Sequence, residues 1–161
     1  MGSIGKHSSA DPSVKRPIFA VVIGINEYSS SSYDNLAGAS QDADRFNDYL
    51  TQNLGVPSDN IYSLRDENAS RDAIVESISW LIRRMEIKQN EAAIIVYFAG
   101  HGALRKKDIQ MICPSDIGTE ILTGNVNGGT KLVEGISGSE LAERFMDLSK
   151  AKGNNIVRPK S

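Results

Sequence analysis

Apolar residues in this chain fall into two kinds of run. Ile18 to Ile25 (IFAVVIGI) and Ala92 to Ala99 (AAIIVYFA) are short, continuous and rich in β-branched side chains. Such runs read as strands buried on both faces of a sheet. Elsewhere the apolar positions recur every three or four residues, which is the mark of an amphipathic helix. Ala39, Ala43, Phe46, Leu50 and Leu54 outline a first helix over Ala39–Asn53, ended by Gly55 and Pro57. Ile74, Ile78, Leu81, Ile82 and Met85 outline a second, with Ser70 placed to cap it and Trp80 as a partly buried packing group. Leu141, Phe145 and Leu148 outline a third, headed by Ser137 and Glu140 at capping-box spacing and closed by Gly153.

Ile61–Leu64 and Gln110–Pro114 read as short strands, and Asn155–Val157 as the start of another core strand, which Arg158-Pro159-Lys160-Ser161 interrupts. Residues 26–38 and 115–136 are expected to be loops, as is the charged stretch after Gly102. Residues 1–16 show no apolar period and are expected to form a disordered tail. Alternation of strands and helices predicts an α/β fold, a parallel sheet with helices on both faces. In such sheets chemistry gathers at the carboxyl ends of the strands.

Composition narrows the picture further. The chain has 161 residues, with 40% hydrophobic and 24% charged side chains, enough for one domain with its own core. A net charge of −2 gives no basic footprint, so nucleic acid is not an expected partner. No apolar run is long enough to span a bilayer, and the polar N-terminus lacks the apolar stretch of a secretion signal. A single cysteine, Cys113, excludes an intrachain disulfide, and the expected location is cytoplasmic.

Candidate chemistry is sparse. His101 is one of two histidines, and it stands between Gly100 and Gly102 just past the second apolar strand. A histidine presented this way suits proton transfer near neutral pH, and the alternative is a solvated loop residue. Asp42 and Asp44 stand near the start of the first helix and read first as carboxylates meeting the positive end of its dipole; the alternative is the charged wall of a pocket beside the strand ends. Cys113 has apolar neighbours and reads as a buried packing residue. Asp66, Glu67, Lys106, Lys107 and Asp108 read as solvated loop charges. A lone usable histidine and one buried cysteine cannot build a zinc site, and Gly24-Ile25-Asn26-Glu27 is no nucleotide fingerprint.

Taken in order, several segments resemble one family. Ala20-Val21-Val22-Ile23-Gly24-Ile25-Asn26-Glu27-Tyr28 is similar to the opening strand of metacaspases and other caspase-like cysteine peptidases. Asn35-Leu36-Ala37-Gly38-Ala39-Ser40-Gln41-Asp42-Ala43 resembles the family's segment ending in Asp-Ala, and Val96-Tyr97-Phe98-Ala99-Gly100-His101-Gly102 its Gly-His-Gly motif. Ile112-Cys113-Pro114-Ser115-Asp116 resembles the Pro-x-Asp strand end that follows, and among relatives the chain looks like caspase-domain proteins of mushroom-forming fungi.

The resemblance implies a three-layer α/β/α sandwich with a mostly parallel sheet, incomplete at the C-terminus, spanning residues 17–157 and followed by an atypical end at 158–161. It implies that His101 is the general base of a Cys/His dyad, that the backbone N–H of Gly102 helps hold the oxyanion, and that Asp42 lies in the S1 pocket and favours a protein or peptide substrate with Arg or Lys at P1. It also implies a nucleophile in an Asp-Cys-Cys-His-Ser-Gly motif some tens of residues after the histidine. That motif is absent from these residues, so a chain without peptidase activity of its own is expected. No resident cofactor is expected; calcium activation occurs in the metacaspase branch, at a site outside these residues. The alternatives are a non-catalytic fragment that pairs with another caspase-like chain, and a small Rossmann-like binding domain whose resemblance ends at the fold.

Overall fold

The computed structural model describes residues 16–105, 109–123, 129–153 and 156–157. Residues 1–15 of the expected tail, the Lys106–Asp108 charges, Asn155 of the expected last strand and the end at 158–161 lie outside the described residues. The central element is a four-stranded parallel sheet in the order β2-β1-β3-β9, built from β1 (Ile18–Gly24), β2 (Ile61–Arg65), β3 (Ala93–Ala99) and β9 (Ile156–Val157). β1 pairs along its length with β3, from Ile18 opposite Ala93 to Gly24 opposite Ala99, and with β2 from Ala20 opposite Ile61. Among the described residues, β9 pairs with β3 at Ile94 and Ile95.

Alternation along β1 assigns its two faces. Ala20 and Val22 point to α1 (Ala39–Asp48) and bury against Ala43, Leu50 and Val56. Phe19, Val21 and Ile23 point the other way and meet Ile74, Ile78 and Leu81 of α2 (Arg71–Arg83) and Leu148 of α3 (Gly138–Lys152). The sequence thus yields the expected α/β/α layering. Gly24 lets α1 sit tightly on the end of β1, since a Cβ there would lie 2.5 Å from the Ala43 Cβ and 2.8 Å from the Ala39 carbonyl oxygen. Both predicted caps form: Ser70 Oγ accepts from the Ala73 N–H and Ser137 Oγ from the Glu140 N–H. Glu140 itself does not close the box; its carboxylate receives Arg71 and Arg144 instead. Trp80 packs edge-on against Tyr62, as a packing group should.

Several expectations are corrected. The first helix is regular only to Asp48 and continues as a wider π turn over Tyr49–Asn53, leaving Leu54 partly exposed. Met85 is 90% exposed, because α2 has already ended at Arg83 when the helical spacing reaches it. β3 is not buried on both faces; Ile94 and Val96, on the face toward α2 and α3, are buried, whereas Ile95 and Tyr97, on the face toward α1, are only partly so. The stretch after Gly102 is a strand, β4 (Gly102–Arg105), antiparallel to β5 (Ile109–Ile112). Residues 115–136 carry a further hairpin, β6 (Glu120–Leu122) with β7 (Thr130–Leu132), and end in β8 (Ile136–Ser137), which joins β5. Beside β3, an apolar groove of about 890 Å³ opens between α2, α3 and the β4–β5 hairpin, lined by Ile74, Ile78, Val96, Phe98, Leu141 and Phe145.

Candidate active site around His101

His101 follows the carboxyl end of β3 by two residues, where the parallel sheet delivers its loops. The loop that leaves β1, residues 25–38, arches over this point and is fastened on both sides. Ile25 N–H bonds the Ala99 carbonyl at 2.9 Å, Ser29 N–H the Ser115 carbonyl at 2.8 Å, and Leu36 N–H the Asn26 carbonyl at 2.8 Å. Asn35 Oδ1 accepts the Tyr28 N–H at 3.0 Å.

Asp66, at the end of β2, is the chief fastener from below. One of its oxygens accepts the N–H groups of Asn26 (2.7 Å) and Glu27 (3.1 Å) and the Ser40 hydroxyl (2.9 Å). This corrects the expectation of a solvated loop charge. Its backbone sits at φ 43°, a left-handed conformation that Asp tolerates better than most residues. Asn26 extends the clamp, accepting the Ser40 N–H with its Oδ1 and donating to Gln41 Oε1.

Held in this way, the loop meets His101 twice. The Asp34 carbonyl oxygen lies 2.8 Å from His101 Nε2. A carbonyl only accepts, so in the neutral imidazole the proton is on Nε2 and Nδ1 carries the lone pair. The Tyr28 hydroxyl accepts the His101 backbone N–H at 2.7 Å, and the two rings lie 4.9 Å apart at 41°. Tyr28 is buried, and that burial pushes its phenol above its ordinary value, against the opposing bond from the His101 backbone.

Gly102 begins β4 opposite Ile112, and the Cys113 N–H bonds the His101 carbonyl at 2.9 Å. This single bond joins His101 to Cys113 just beyond the β4–β5 ladder, the His101 N–H going to Tyr28 instead. The next pair, Gly102 with Ile112, is a non-bonded one, so the Gly102 N–H points away from β5. Gly102 is exposed, with no atom of another element nearer than 3.7 Å to where a Cβ would stand.

Cys113 comes closer to His101 than the sequence suggests, but it is fully buried, and burial pushes its thiol up. A nucleophilic cysteine needs the opposite, an exposed thiol with a depressed pKa. Asp42 lies in the first turn of α1, at the same end of the sheet as His101. Its carboxylate is half exposed and pairs with Arg45 at 3.1 Å. Asp44 instead holds Arg65, which also donates to the Val22 and Leu64 carbonyls.

The structure thus brings His101 and Gly102 together, sets Asp42 on the neighbouring helix, and adds Tyr28, Asp34 and Asp66, which sequence reasoning missed. Tyr28 closes the segment that resembles the family's opening strand, but its contact with His101 shows only in the fold, where a Cβ at Gly100 would lie 3.1 Å from the Tyr28 hydroxyl and 2.9 Å from the Phe98 ring. Among the described residues, no group of three His, Cys, Asp or Glu side chains could hold a metal ion, and no helix is long and apolar enough to cross a membrane.

Comparison with known proteins agrees with the fold. A crystal structure of a protein from Geobacter sulfurreducens is similar in fold, with a TM-score of 0.58 and 14% identity over 81% of this chain. The chain spans 45% of the length of that protein. No curated protein matches the chain significantly. The family model for the caspase domain matches residues 18–136, which include β1, the clamped loop, His101 and Gly102. The chain belongs to the caspase-domain peptidase family.

Proposed function

We propose that this chain carries the histidine half of a metacaspase-type cysteine endopeptidase. The observation that carries the reading is the pinning of His101 Nε2 by the Asp34 carbonyl, which leaves Nδ1 as a proton acceptor at the mouth of the sheet. In this reading Nδ1 takes the proton of a cysteine thiol, and the thiolate attacks the scissile carbonyl. The Gly102 amide donates to the oxyanion, and the imidazolium then returns its proton to the leaving amine. Asp42 receives an Arg or Lys side chain at P1, with Arg45 as the cation that such a side chain displaces.

The one cysteine of these 161 residues is Cys113, buried and held as a thiol, so the residues described do not contain the nucleophile. The chain by itself is therefore expected to be inactive, in a domain of about residues 17–157. The experiment is an assay of the purified chain on Arg- and Lys-terminated fluorogenic peptides, with and without calcium, beside a His101→Ala control. Equal signals from chain and control support the reading. Turnover that disappears in His101→Ala would show that Cys113 or another group serves as nucleophile.

A second reading, pairing with another caspase-like chain, is favoured by the apolar groove beside β3. Sedimentation of the chain alone and with a cysteine-bearing relative separates the two readings.

A further inference from the structure

A general base is useful only if its ring is held still and in one tautomer, because a misplaced imidazole loses the aligned proton transfer that makes it catalytic. Asp34 fixes one ring nitrogen of His101, but one hydrogen bond leaves the ring free to pivot about it. The residue that removes this freedom is Tyr28, from the same loop.

We infer that Tyr28 is a positioning residue for His101, anchoring its backbone by a hydroxyl bond and its imidazole plane by ring packing. This rests on the reading of His101 as the base of a Cys/His pair. The hydroxyl lies 2.7 Å from the His101 amide nitrogen, and the phenol ring lies 4.9 Å from the imidazole. Three further features show that the contact is built into the fold. Asn35 fixes the Tyr28 backbone, Tyr33 packs 6.1 Å from its ring, and Gly100 leaves clear the space through which the hydroxyl reaches the His101 amide. Tyr28 and Asp34 thus hold His101 at backbone, ring plane and tautomer, and Asp66 holds the loop that carries both. Tyr28 itself touches no reacting atom in this account.

The test is nuclear magnetic resonance of the full 161-residue chain with labelled histidine, with His7 as the internal reference. Tyr28→Phe keeps the ring and removes the hydroxyl. In this variant the His101 amide should exchange about tenfold faster, the value of one lost hydrogen bond. The His101 imidazole nitrogens should also move from a single Nε2–H pattern toward tautomer-averaged shifts. A purely structural role would lower the melting temperature and leave those nitrogen shifts alone. Gly100→Ala, which pushes a methyl against the Tyr28 hydroxyl from the other side, should give the same two changes, and it decides the matter if Tyr28→Phe does not fold. Wild-type amide protection and wild-type imidazole shifts in a folded variant would overturn the inference. Failure of the peptidase reading would register separately, in the turnover assay, and would leave these spectra unchanged.

Discussion

The carbonyl oxygen of Asp34 and the Nε2 of His101 lie 2.8 Å apart, although α1, β2, α2 and β3 separate them along the chain. The contact uses the Asp34 backbone, not its carboxylate. Asp34→Ala should therefore leave the His101 tautomer as it is. Asn35→Ala, which removes the acceptor for the Tyr28 N–H, should loosen the loop and mix the tautomers. Nitrogen shifts of the imidazole read both results, and a large effect of Asp34→Ala would mean that the side chain matters after all.

Glycines at the two ends of the site should respond in opposite ways. At Gly24 an added methyl would meet the Ala43 Cβ at 2.5 Å, and the backbone of α1 stands behind it. Gly24→Ala should cost about 1–3 kcal/mol of stability, the usual result of overpacking. Gly102 has ordinary space around it, so Gly102→Ala should melt with the wild type. Urea titration of both variants gives the comparison.

Asp66 offers a graded test of the loop clamp. Asp66→Ala strands the N–H groups of Asn26 and Glu27 and the Ser40 hydroxyl without their acceptor, and should cost about 2–3 kcal/mol. Asp66→Asn keeps one acceptor oxygen and tolerates the positive φ, so it should lose roughly half as much. Equal losses in the urea midpoint would mean that the charge, and not the geometry, carries the clamp.

Glu140 predicts how stability depends on acid. Burial alone would raise its pKa, but hydrogen bonds and charge from Arg71 and Arg144 outweigh burial and hold it below its ordinary value of 4.5. A carboxyl depressed in the folded chain binds its proton more readily when unfolded. Its contribution is thus intact above pH 4.5 and is lost as the pH falls through the folded value. Glu140→Gln should flatten this part of the acid limb in melting curves taken from pH 6 downward, while the Ser137 cap, which uses the Glu140 backbone, survives.

Much of the fold could be read directly because its cues are local. β1 and β3 are apolar runs, α2 and α3 have Ser caps, and α3 stops at Gly153 with φ 87°. Of the β4–β5 hairpin only β5 was read, as Gln110–Pro114, and the β6–β7 hairpin was missed for a physical reason. The strands of the second hairpin are exposed throughout, so no buried face imposed an alternating pattern on Glu120–Leu122 or Thr130–Leu132. His101, Gly102 and Asp42 were singled out as candidates through local motif and position. The roles of Tyr28, Asp34 and Asp66 were not, because each acts on a partner far away in sequence; Tyr28 stood in a family-like segment with no partner assigned to it, and nothing around Asp34 or Asp66 marks them. Asp66 in particular looks like any loop carboxylate until the β1–α1 loop is folded onto it.

The parallel sheet also sets the order in which this chain can fold. Every pairing in it is distant in sequence: Ala20 waits for Ile61, Ile18 for Ala93, and Ile94 for Ile156. No hairpin within it can nucleate the sheet, so loop-closure entropy must be spent before any ladder forms. On the ribosome β1 would emerge first and stay unpaired until β2 and β3 follow, an apolar strand without a neighbour. Early assembly would fall to α1, α2 and the antiparallel hairpins, whose contacts are near in sequence, with the strand that leads to His101 seated last against β1.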